Sequence, residues 1–228
     1  MGEASLGELL GIWVEGWAST RRYPVRDVGA FKAVELTDKT GDWEAFAVHP
    51  TAREFADLAS FVTESQPRIV TILTDDVAAY RALAQEHGLI ELGADQELMI
   101  MDFEGKDVEA PWLNDDELKL TTEYEDHSAT VTVRTTDGVL AAQGHVAVTQ
   151  GYAVFDRIIT EPAFRRRGLG SFVMRALTAA MSEHRLDQGL LIASVDGQHL
   201  YHHLGWSDVS AVVIFANPGA SKGASLSD

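Results

Sequence analysis

The pattern of hydrophobic and polar positions predicts that the second half of the chain begins with a series of strands. Residues 129–135 alternate between apolar and polar side chains, and Asp137-Gly138 separates them from an apolar run over residues 139–148. Alternation on one side of an Asp-Gly pair and an apolar run on the other are typical of a β-hairpin. Residues 152–160 form a third, mostly apolar run, which we predict to be a central strand.

A helix and three shorter elements are predicted after this strand. Apolar residues recur at helical spacing between residues 172 and 181, which indicates one buried helical face. A short strand over residues 190–195, a short helix over residues 199–204 ended by Gly205 and a last strand over residues 211–215 follow. The helical face consists of Phe172, Val173, Ala176, Leu177, Ala180 and Met181.

The first half repeats this order of elements, so we predict a degenerate copy of the same fold. When Pro50 is aligned with Pro162, Ala56 and Leu58 align with Gly168 and Gly170. The first-half copy therefore lacks both glycines. Two unrelated α/β segments would be the alternative. The predicted elements are a strand over 43–48, a helix over 52–63, a strand over 68–73, a helix over 77–86 and a strand over 98–101.

An acidic segment separates the two halves. Residues 102–117 carry Gly105 and Pro111 and show neither helical nor strand periodicity, which is typical of a linker. We therefore predict a first domain over residues 1–105, a linker over 106–117 and a second domain over 118–228. Each domain is expected to be α/β, with a mixed, mostly antiparallel sheet and flanking helices.

Composition narrows the class of partner. The 228 residues carry a formal net charge of −17, which opposes binding to nucleic acid or to anionic membrane surfaces and favours cationic or neutral partners. The chain has no cysteine, which excludes disulfides, thiolate metal sites and a cysteine nucleophile. The N-terminus lacks the pattern of a signal peptide, and no apolar run approaches 18 residues, so a cytoplasmic protein is expected.

One short segment is positive within this acidic chain. Four of the nine basic residues of the second half lie between Arg157 and Arg167, immediately before Gly168 and Gly170. The segment joins the predicted central strand to the predicted helix. The first N–H groups of a helix lack internal partners and lie at the positive end of its dipole, so such a turn is suited to bind phosphate.

Two other phosphate-binding motifs fit less well. The P-loop pattern G-x-x-x-x-G-K-[ST] is absent. A dinucleotide fingerprint would need Gly or Ala at position 173, which is Val173. A basic turn with a glycine at the helix start and no ligand remains an alternative.

The residues of this segment resemble the signature of the GNAT superfamily of acetyl-CoA-dependent N-acetyltransferases. Arg165-x-x-Gly168-x-Gly170 matches its [QR]-x-x-G-x-[GA] pattern, and Thr160-x-Pro162 with Phe164 is similar to the pattern that precedes it. Residues 190–194, followed by Leu-Tyr-His-His-Leu-Gly-Trp at 200–206, resemble a second family motif. The resemblance covers about residues 118–216, and tandem arrangements are known in the superfamily. Before its first hairpin the second half lacks the helical pair on which family members often build the acceptor site.

The resemblance implies an acetyl-CoA site, with no metal. The backbone of the strand end would pair with the pantetheine arm, and N–H groups from Arg166 to Ser171 would hold the pyrophosphate. Tyr201 matches the family tyrosine that protonates, or donates a hydrogen bond to, the departing thiolate. The cofactor-binding residues predicted in this way are Ile158, Ile159, Thr160, Arg165, Arg166, Arg167, Gly168, Leu169, Gly170 and Ser171.

A base for the acceptor amine is less evident. Deprotonating a lysine-like ammonium of pKa about 10.4 at pH 7 costs roughly 4.6 kcal/mol, so a base or a water chain is expected. Asp156 is the first candidate, with a structural partnership to Arg157 or a solvent-facing position as its alternatives. His145 acting through water is the second candidate, and a hydrogen bond within the sheet is the alternative for it.

Two further groups of residues invite a ligand interpretation. His199, His202 and His203 have helical spacing, but they lack the Glu of an H-E-x-x-H zinc site and fit a polar helix face better. Arg21-Arg22 and the first-half tryptophans suggest stacking on a ligand. The alternative, favoured here, is a core-facing helix formed by Leu6, Leu9, Leu10, Trp13 and Trp17.

The resemblance implies transfer of an acetyl group from acetyl-CoA to the primary amine of a small molecule or peptide. The acid excess favours a cationic acceptor such as a polyamine, aminoglycoside, amino acid or peptide N-terminus. A homodimer is compatible with the sequence. The alternatives are a non-catalytic acyl-CoA sensor or interaction module, a nicotinamide-dependent oxidoreductase and a purely structural tandem domain.

Overall fold

The computed structural model of the chain describes residues 4–103, 109–184 and 186–220. These residues form α-helices on both faces of one mixed sheet. The helices are α1 (Leu6–Arg21), α2 (Ala52–Thr63), α3 (Val77–Glu86), α4 (Leu169–Ala180) and α5 (Val195–His203). The strands are β1 (Val25–Val28), β2 (Phe31–Glu35), β3 (Trp43–Val48), β4 (Ile69–Thr74), β5 (Ile90–Asp102), β6 (Leu118–Glu125), β7 (Ser128–Thr135), β8 (Leu140–Thr149), β9 (Tyr152–Thr160), β10 (Gln188–Ala193) and β11 (Ser207–Ala216).

The two halves of the chain share this sheet by exchanging strands. The strand order is β1-β2-β3-β4-β11-β5-β10-β9-β8-β7-β6, and only β3–β4 and β9–β10 are parallel pairs among the described strands. Strand β5 of the first half lies between β10 and β11, while β11 of the second half lies between β4 and β5. Backbone hydrogen bonding therefore joins the halves continuously.

The N-terminal helix provides a second link between the halves. Helix α1 packs on β8 and β9 of the second half as well as on β2 and β3 of its own. The contact is close because Gly16 has no side chain: a Cβ there would lie 2.5 Å from a methyl carbon of Val154. The second half, which lacks a helical pair in its own sequence before β7, is thus covered on this face by a helix of the first half.

The remaining helices pack on the opposite face of the sheet. Val154 belongs to the hydrophobic core under α1, and its neighbour Phe155 belongs to the core under α4 and α5, as expected for side chains that alternate along a strand. Phe46 and Ala47 divide in the same way between the α1 core and the core under α2 and α3. No helix in the described part of the chain is long and apolar enough to cross a membrane.

Helix starts differ in a way that bears on the site. Four of the five described helices have a side-chain cap that accepts a hydrogen bond from the first turn, and α4 begins at Gly168 without one. A side-chain cap satisfies N–H groups that the helix itself leaves free. The four capping residues are Ser5, Thr51, Asp76 and Ser194.

The predicted elements correspond to the observed ones to different degrees. The bounds predicted for β3, α2, α3 and β9 are confirmed. The helix predicted from the apolar face between residues 172 and 181 corresponds to α4. The last strand of the first half begins at Ile90 rather than Leu98, and α5 begins at Val195 rather than His199. Strands β1, β2 and β6 were not predicted. They lie at the two ends of the sheet, where exposure weakens the apolar pattern. Part of the predicted linker, residues 104–108, lies outside the described residues.

The predicted pairing of Ala56 and Leu58 with Gly168 and Gly170 is wrong. In the first half α2 starts directly after Pro50, with Thr51 as its N-cap, whereas a short 3₁₀ helix (Pro162–Phe164) and a turn precede α4 in the second half. Ala56 and Leu58 therefore lie within α2 and not at its start, and the Leu58 side chain is buried in the core. The first half therefore has neither the turn nor the glycines at its helix start.

Candidate active site

A gap opens in the sheet where β9 and β10 diverge. Their parallel pairing covers only Tyr152–Val154 against Gln188–Leu190. Beyond Val154 the edge of β9 that faces β10 has no strand partner among the described residues, although its other edge stays paired with β8. An extended ligand can therefore hydrogen-bond to β9 as an additional strand would.

A β-bulge lies in β9 at the mouth of this gap. Arg157 adopts a left-handed conformation with φ of 51°, and the pairing with β8 shifts between His145 and Gln143. A bulge inserts one residue and changes which face the following side chains occupy. Ile158 accordingly points to the α4 side, where its Cδ1 would lie 2.6 Å from a Cβ on Gly144.

The turn after β9 presents a series of free N–H groups. The first intrahelical bond of α4 runs from the Phe172 N–H to the Gly168 carbonyl at 3.0 Å. The N–H groups from Arg166 to Ser171 have no protein acceptor in the described part of the chain. Arg166 and Gly168 both adopt positive φ, 64° and 77°, which folds this segment into a tight turn. The turn and helix start together form an anion-binding concavity.

The second glycine of the turn provides room for a ligand. A Cβ on Gly170 would lie 3.0 Å from Cδ2 of Leu200 and 3.7 Å from the Thr160 hydroxyl, so it would project into the space between α4 and α5. That space belongs to a cleft of about 1240 Å³ that extends from the free edge of β9 to α5. The cleft is lined by most of the predicted acetyl-CoA residues: Ile158, Ile159, Thr160, Arg165, Arg166, Gly168, Leu169, Gly170 and Ser171.

The three arginines of the turn differ in their hydrogen-bond and ion-pair partners. Arg165 donates from Nε to the Thr160 carbonyl at 3.3 Å, which ties the turn to the end of β9. Arg167 pairs with Asp115 at 2.6 Å and does not line the cleft. Arg166 lines the cleft, and its side chain has no partner among the described residues, so it is the arginine best placed to meet a phosphate.

Tyr201 of α5 lies where the large cleft meets a smaller cavity, and it lines both. Burial raises the pKa of Tyr201 above its ordinary value, and the charge of Asp156 adds to this effect. The phenol is therefore protonated at neutral pH. Its hydroxyl makes no hydrogen bond to the described residues, so its proton is available to a ligand.

The smaller cavity has a volume of about 100 Å³ and lies between α1 and β9; we call it the α1 cavity. It places a residue of the first half beside the predicted base. Arg21 donates from Nε and Nη2 to the two carboxylate oxygens of Asp156 at 2.7 and 2.9 Å, and the two side chains are 1% and 11% exposed. Its lining includes Trp13, Trp17, Arg21, Asp156, Arg157 and Tyr201.

The ion pair with Arg21 rules out both alternatives that the sequence left for Asp156. The residue is neither paired with Arg157 nor turned to solvent, because its partner is Arg21 and Arg157 instead binds Asp38 at 3.0 Å. Burial works against the charge of Arg21, but the hydrogen bonds and charge of Asp156 outweigh it and raise the pKa of the guanidinium. Asp156 stays a predicted base, although each of its carboxylate oxygens already accepts a hydrogen bond from Arg21.

His145 lies directly opposite Asp156 in the β8–β9 register. Its Nδ1 is 2.9 Å from the Thr130 hydroxyl, the hydrogen bond within the sheet that was the alternative for this residue. Burial lowers the pKa of His145, so the imidazole is neutral at pH 7 and can accept a proton through water. His145 therefore stays a candidate beside Asp156.

The histidines of α5 do not converge on one point. His202 pairs with Asp208 at 2.8 Å, whereas His199 lines the large cleft. Among the described residues no group of three or more His, Asp or Glu side chains is arranged to hold a metal ion.

Sequence reasoning missed the contribution of α1 to this site. Trp13 and Trp17 stack on each other with centroids 5.3 Å apart and belong to the core, as predicted, but they also line the α1 cavity. The ion pair between Arg21 and Asp156 joins residues 135 positions apart, and no motif marks either partner. The one available signal was an arginine at the end of an otherwise apolar helical face.

A split parallel strand pair followed by an uncapped glycine turn is the geometry expected of an acyltransferase that binds a coenzyme A thioester. Residues 101–217, which are just over half of the chain, match the family model described as "Acetyltransferase (GNAT) domain". The protein therefore belongs to the GNAT acetyltransferase family.

Solved structures share the fold across nearly the whole chain. A GCN5-related N-acetyltransferase from Kribbella flavida aligns with a TM-score of 0.68 at 15% identity, covering 96% of this chain and 98% of that one. A tandem GNAT protein from the clavulanic acid biosynthesis pathway aligns with a TM-score of 0.58 at 15% identity, covering 86% and 81%. A GCN5-related N-acetyltransferase from Sphaerobacter thermophilus aligns with a TM-score of 0.57 at 14% identity, covering 93% and 85%. At these identities the likeness concerns the fold alone.

Proposed function

We propose that the protein transfers an acetyl group from acetyl-CoA to the primary amine of a small molecule or peptide. The observation that carries this proposal is the continuous surface formed by the free edge of β9 and the uncapped start of α4. Both features are suited to one ligand that has an extended arm and a diphosphate. The amide-bearing arm would lie along β9, and the diphosphate would lie on the turn.

The residues present fit acetyl-CoA. Free N–H groups from Arg166 to Ser171 supply donors, and the absence of a side chain at Gly170 leaves room for phosphate oxygens. Each hydrogen bond to a charged group contributes about 1.5 to 3 kcal/mol, so three or four such bonds support micromolar affinity. Backbone groups of Ile158, Ile159 and Thr160 would pair with the pantetheine arm.

The role proposed for Tyr201 is hydrogen-bond donation to the leaving sulfur. The acceptor nitrogen attacks the thioester carbonyl carbon, a C–N bond forms, and the C–S bond breaks as its electron pair leaves with the thiolate. A thiol has a pKa of about 8.5, and burial raises the pKa of Tyr201 above its ordinary value of about 10. Complete proton transfer from the phenol is therefore uphill, and a hydrogen bond to the developing thiolate is the favoured contribution.

The acceptor must lose a proton to become a nucleophile. Asp156 and the neutral His145 lie opposite each other across β8 and β9. Asp156 lines the α1 cavity beside Tyr201. We propose that one of these side chains takes the proton, His145 through water. No metal and no covalent enzyme intermediate are needed for direct attack.

A ligand panel followed by a turnover assay tests the proposal. Acetyl-CoA at 100 times its Kd should stabilise the protein by about 2.7 kcal/mol, whereas NAD should have no effect. Thiol release from acetyl-CoA in the presence of amines should then exceed the release without amine. A sensor would be stabilised by acetyl-CoA but release no thiol, and a purely structural protein would respond to neither ligand.

The two-domain division at residues 106–117, a cytoplasmic location and a homodimer stay predictions. The fit of α1 against β9 supports one role for the first half, which is to form a wall of the site.

A further inference from the structure

The charged side chains that line the α1 cavity include more cations than carboxylates. Asp156 is the carboxylate of this lining, and both of its oxygens already accept hydrogen bonds from Arg21. The Thr20 hydroxyl approaches one of these oxygens as well, at 3.4 Å. An incoming ammonium group would therefore have to compete with a buried guanidinium for the same oxygens.

Two donor nitrogen atoms beside the α1 cavity have no acceptor among the described residues and are enclosed by protein. Nη1 of Arg21 and Nε1 of Trp13 are buried and make no hydrogen bond to the described residues. The Tyr23 hydroxyl lies within hydrogen-bonding reach of the Arg21 guanidinium and donates its own proton to Asp38. These two nitrogen atoms expose almost no surface, so Arg157 is the arginine of the lining that a ligand in the cavity can reach.

Arg157 adds a second cation to the lining. Its side chain is 29% exposed and makes one ion pair, from Nη2 to Asp38, which comes from the first half of the chain. A guanidinium carries five N–H donors in a planar fork that matches a carboxylate. The lining thus carries two arginines for one carboxylate, although the chain as a whole has a net charge of −17.

We propose that the acceptor is a small amine that also carries a carboxylate, and that the α1 cavity binds this carboxylate. The inference rests on the proposed acetyl transfer to an amine. Arg157 binds the carboxylate, and the amine is directed toward Tyr201 and the thioester. The volume of about 100 Å³ restricts the bound part to a few heavy atoms. Local donors and not the net charge of the chain then determine acceptor choice.

Matched acceptors that differ only in the carboxylate test this proposal. Thiol release from acetyl-CoA is measured with L-alanine against L-alaninamide, with β-alanine against β-alaninamide, and with putrescine. The amine of each amide is less basic, so more of it is deprotonated at neutral pH and its intrinsic reactivity is favoured. We expect kcat/KM at least tenfold higher for the amino acids. Equal or higher values for the amides or putrescine would overturn the proposal.

Two arginine variants test whether Arg157 causes the preference for amino acids over their amides. Arg157→Gln should raise the KM of the preferred amino acid about tenfold, lower the discrimination against its amide and leave the KM of acetyl-CoA unchanged. Arg22→Gln is the matched control, because Arg22 also has positive φ but is exposed and pairs with Glu125 outside the cavity. An unchanged KM in Arg157→Gln, or an equal rise in Arg22→Gln, would contradict the assignment.

A binding readout separates this proposal from the proposed function. Melting temperatures are measured in saturating coenzyme A with each amino acid and its amide. A larger increase with the amino acid, lost in Arg157→Gln, supports the carboxylate site even if no acceptor is acetylated, in which case acetyl transfer is the idea that fails. Turnover of amides, with no selective stabilisation by amino acids, supports acetyl transfer and rejects the carboxylate site.

Discussion

Each half of the molecule has a strand, β3 or β9, that is followed along the chain by a helix, α2 or α4, and the two halves differ at the helix start. In the first half α2 follows Pro50 directly, and Thr51 and Glu54 form a capping box in which each side chain accepts from the backbone N–H of the other. In the second half a turn precedes α4, and the N-cap residue is Gly168, which has no side chain to accept a hydrogen bond. At the start of α2 a side chain accepts a hydrogen bond from the first turn, whereas the first N–H groups of α4 have no acceptor among the described residues.

The start of α4 combines free N–H donors with space beside Gly170, and the proposed phosphate site depends on both. Removing the Thr51 side-chain cap of α2 would free the Glu54 N–H but would not create the turn that precedes α4. The first half has kept what a strand and a helix need for packing. Its further contribution is α1, which covers β9 and supplies Arg21 to the α1 cavity.

The largest effect is expected from a carboxylate at the start of α4. Gly170→Glu should weaken acetyl-CoA binding more than 100-fold, because the side chain fills the space for phosphate and its charge repels it. Calorimetry measures the affinity. Arg53→Glu is the matched control: Arg53 is the second residue of α2, as Gly170 is of α4, and a negative charge near a helix N-terminus is favourable. Normal affinity in Gly170→Glu would contradict the comparison.

The next effect concerns turnover alone. Tyr201→Phe should lower kcat roughly 100-fold, because the hydrogen bond to the leaving sulfur is lost. Coenzyme A affinity should stay within about twofold. Tyr80→Phe in the first half is the control: the Tyr80 hydroxyl donates to the Pro50 carbonyl at 2.8 Å, so its loss should cost about 1 kcal/mol of stability without slowing turnover. Unchanged kcat in Tyr201→Phe would remove this residue from the mechanism.

A buried carboxylate of the first half should affect stability in a pH-dependent way. Burial raises the pKa of Glu44 to about 7, and one of its oxygens has no partner. Because the folded-state pKa lies above the unfolded value, this group lowers stability as the pH rises from about 4.5 to above 7. Glu44→Gln should therefore stabilise the protein by about 1 to 3 kcal/mol at pH 8 and by much less at pH 5. Denaturant unfolding at both pH values checks this, and an effect independent of pH would be inconsistent with it.

The smallest effect is expected at the cap of α2. Thr51→Ala should cost about 1 kcal/mol of stability, because it leaves the N–H of Glu54 without its partner. Acetyl-CoA affinity and stoichiometry should not change. Thermal unfolding and calorimetry measure both quantities. A second acetyl-CoA site in this variant would contradict the account, because it would show that the Thr51 cap alone prevents acetyl-CoA binding at α2.

Much of the fold could be predicted from local patterns, because buried strands and amphipathic helices carry their periodicity in the sequence. The bounds of β3, α2, α3 and β9 and the glycine turn before α4 are examples. Exchange of β5 and β11 between the halves could not be predicted, since the order of strands in a sheet depends on pairing between distant segments. The contact of Arg21 with Asp156 depends on the same long-range packing.

Calorimetric titration of the full chain with acetyl-CoA tests the central claim most directly. The account predicts one site per chain in the unmodified protein and in Arg53→Glu, and no measurable site in Gly170→Glu. Two equivalent sites per chain, or one site that survives Gly170→Glu, would contradict it.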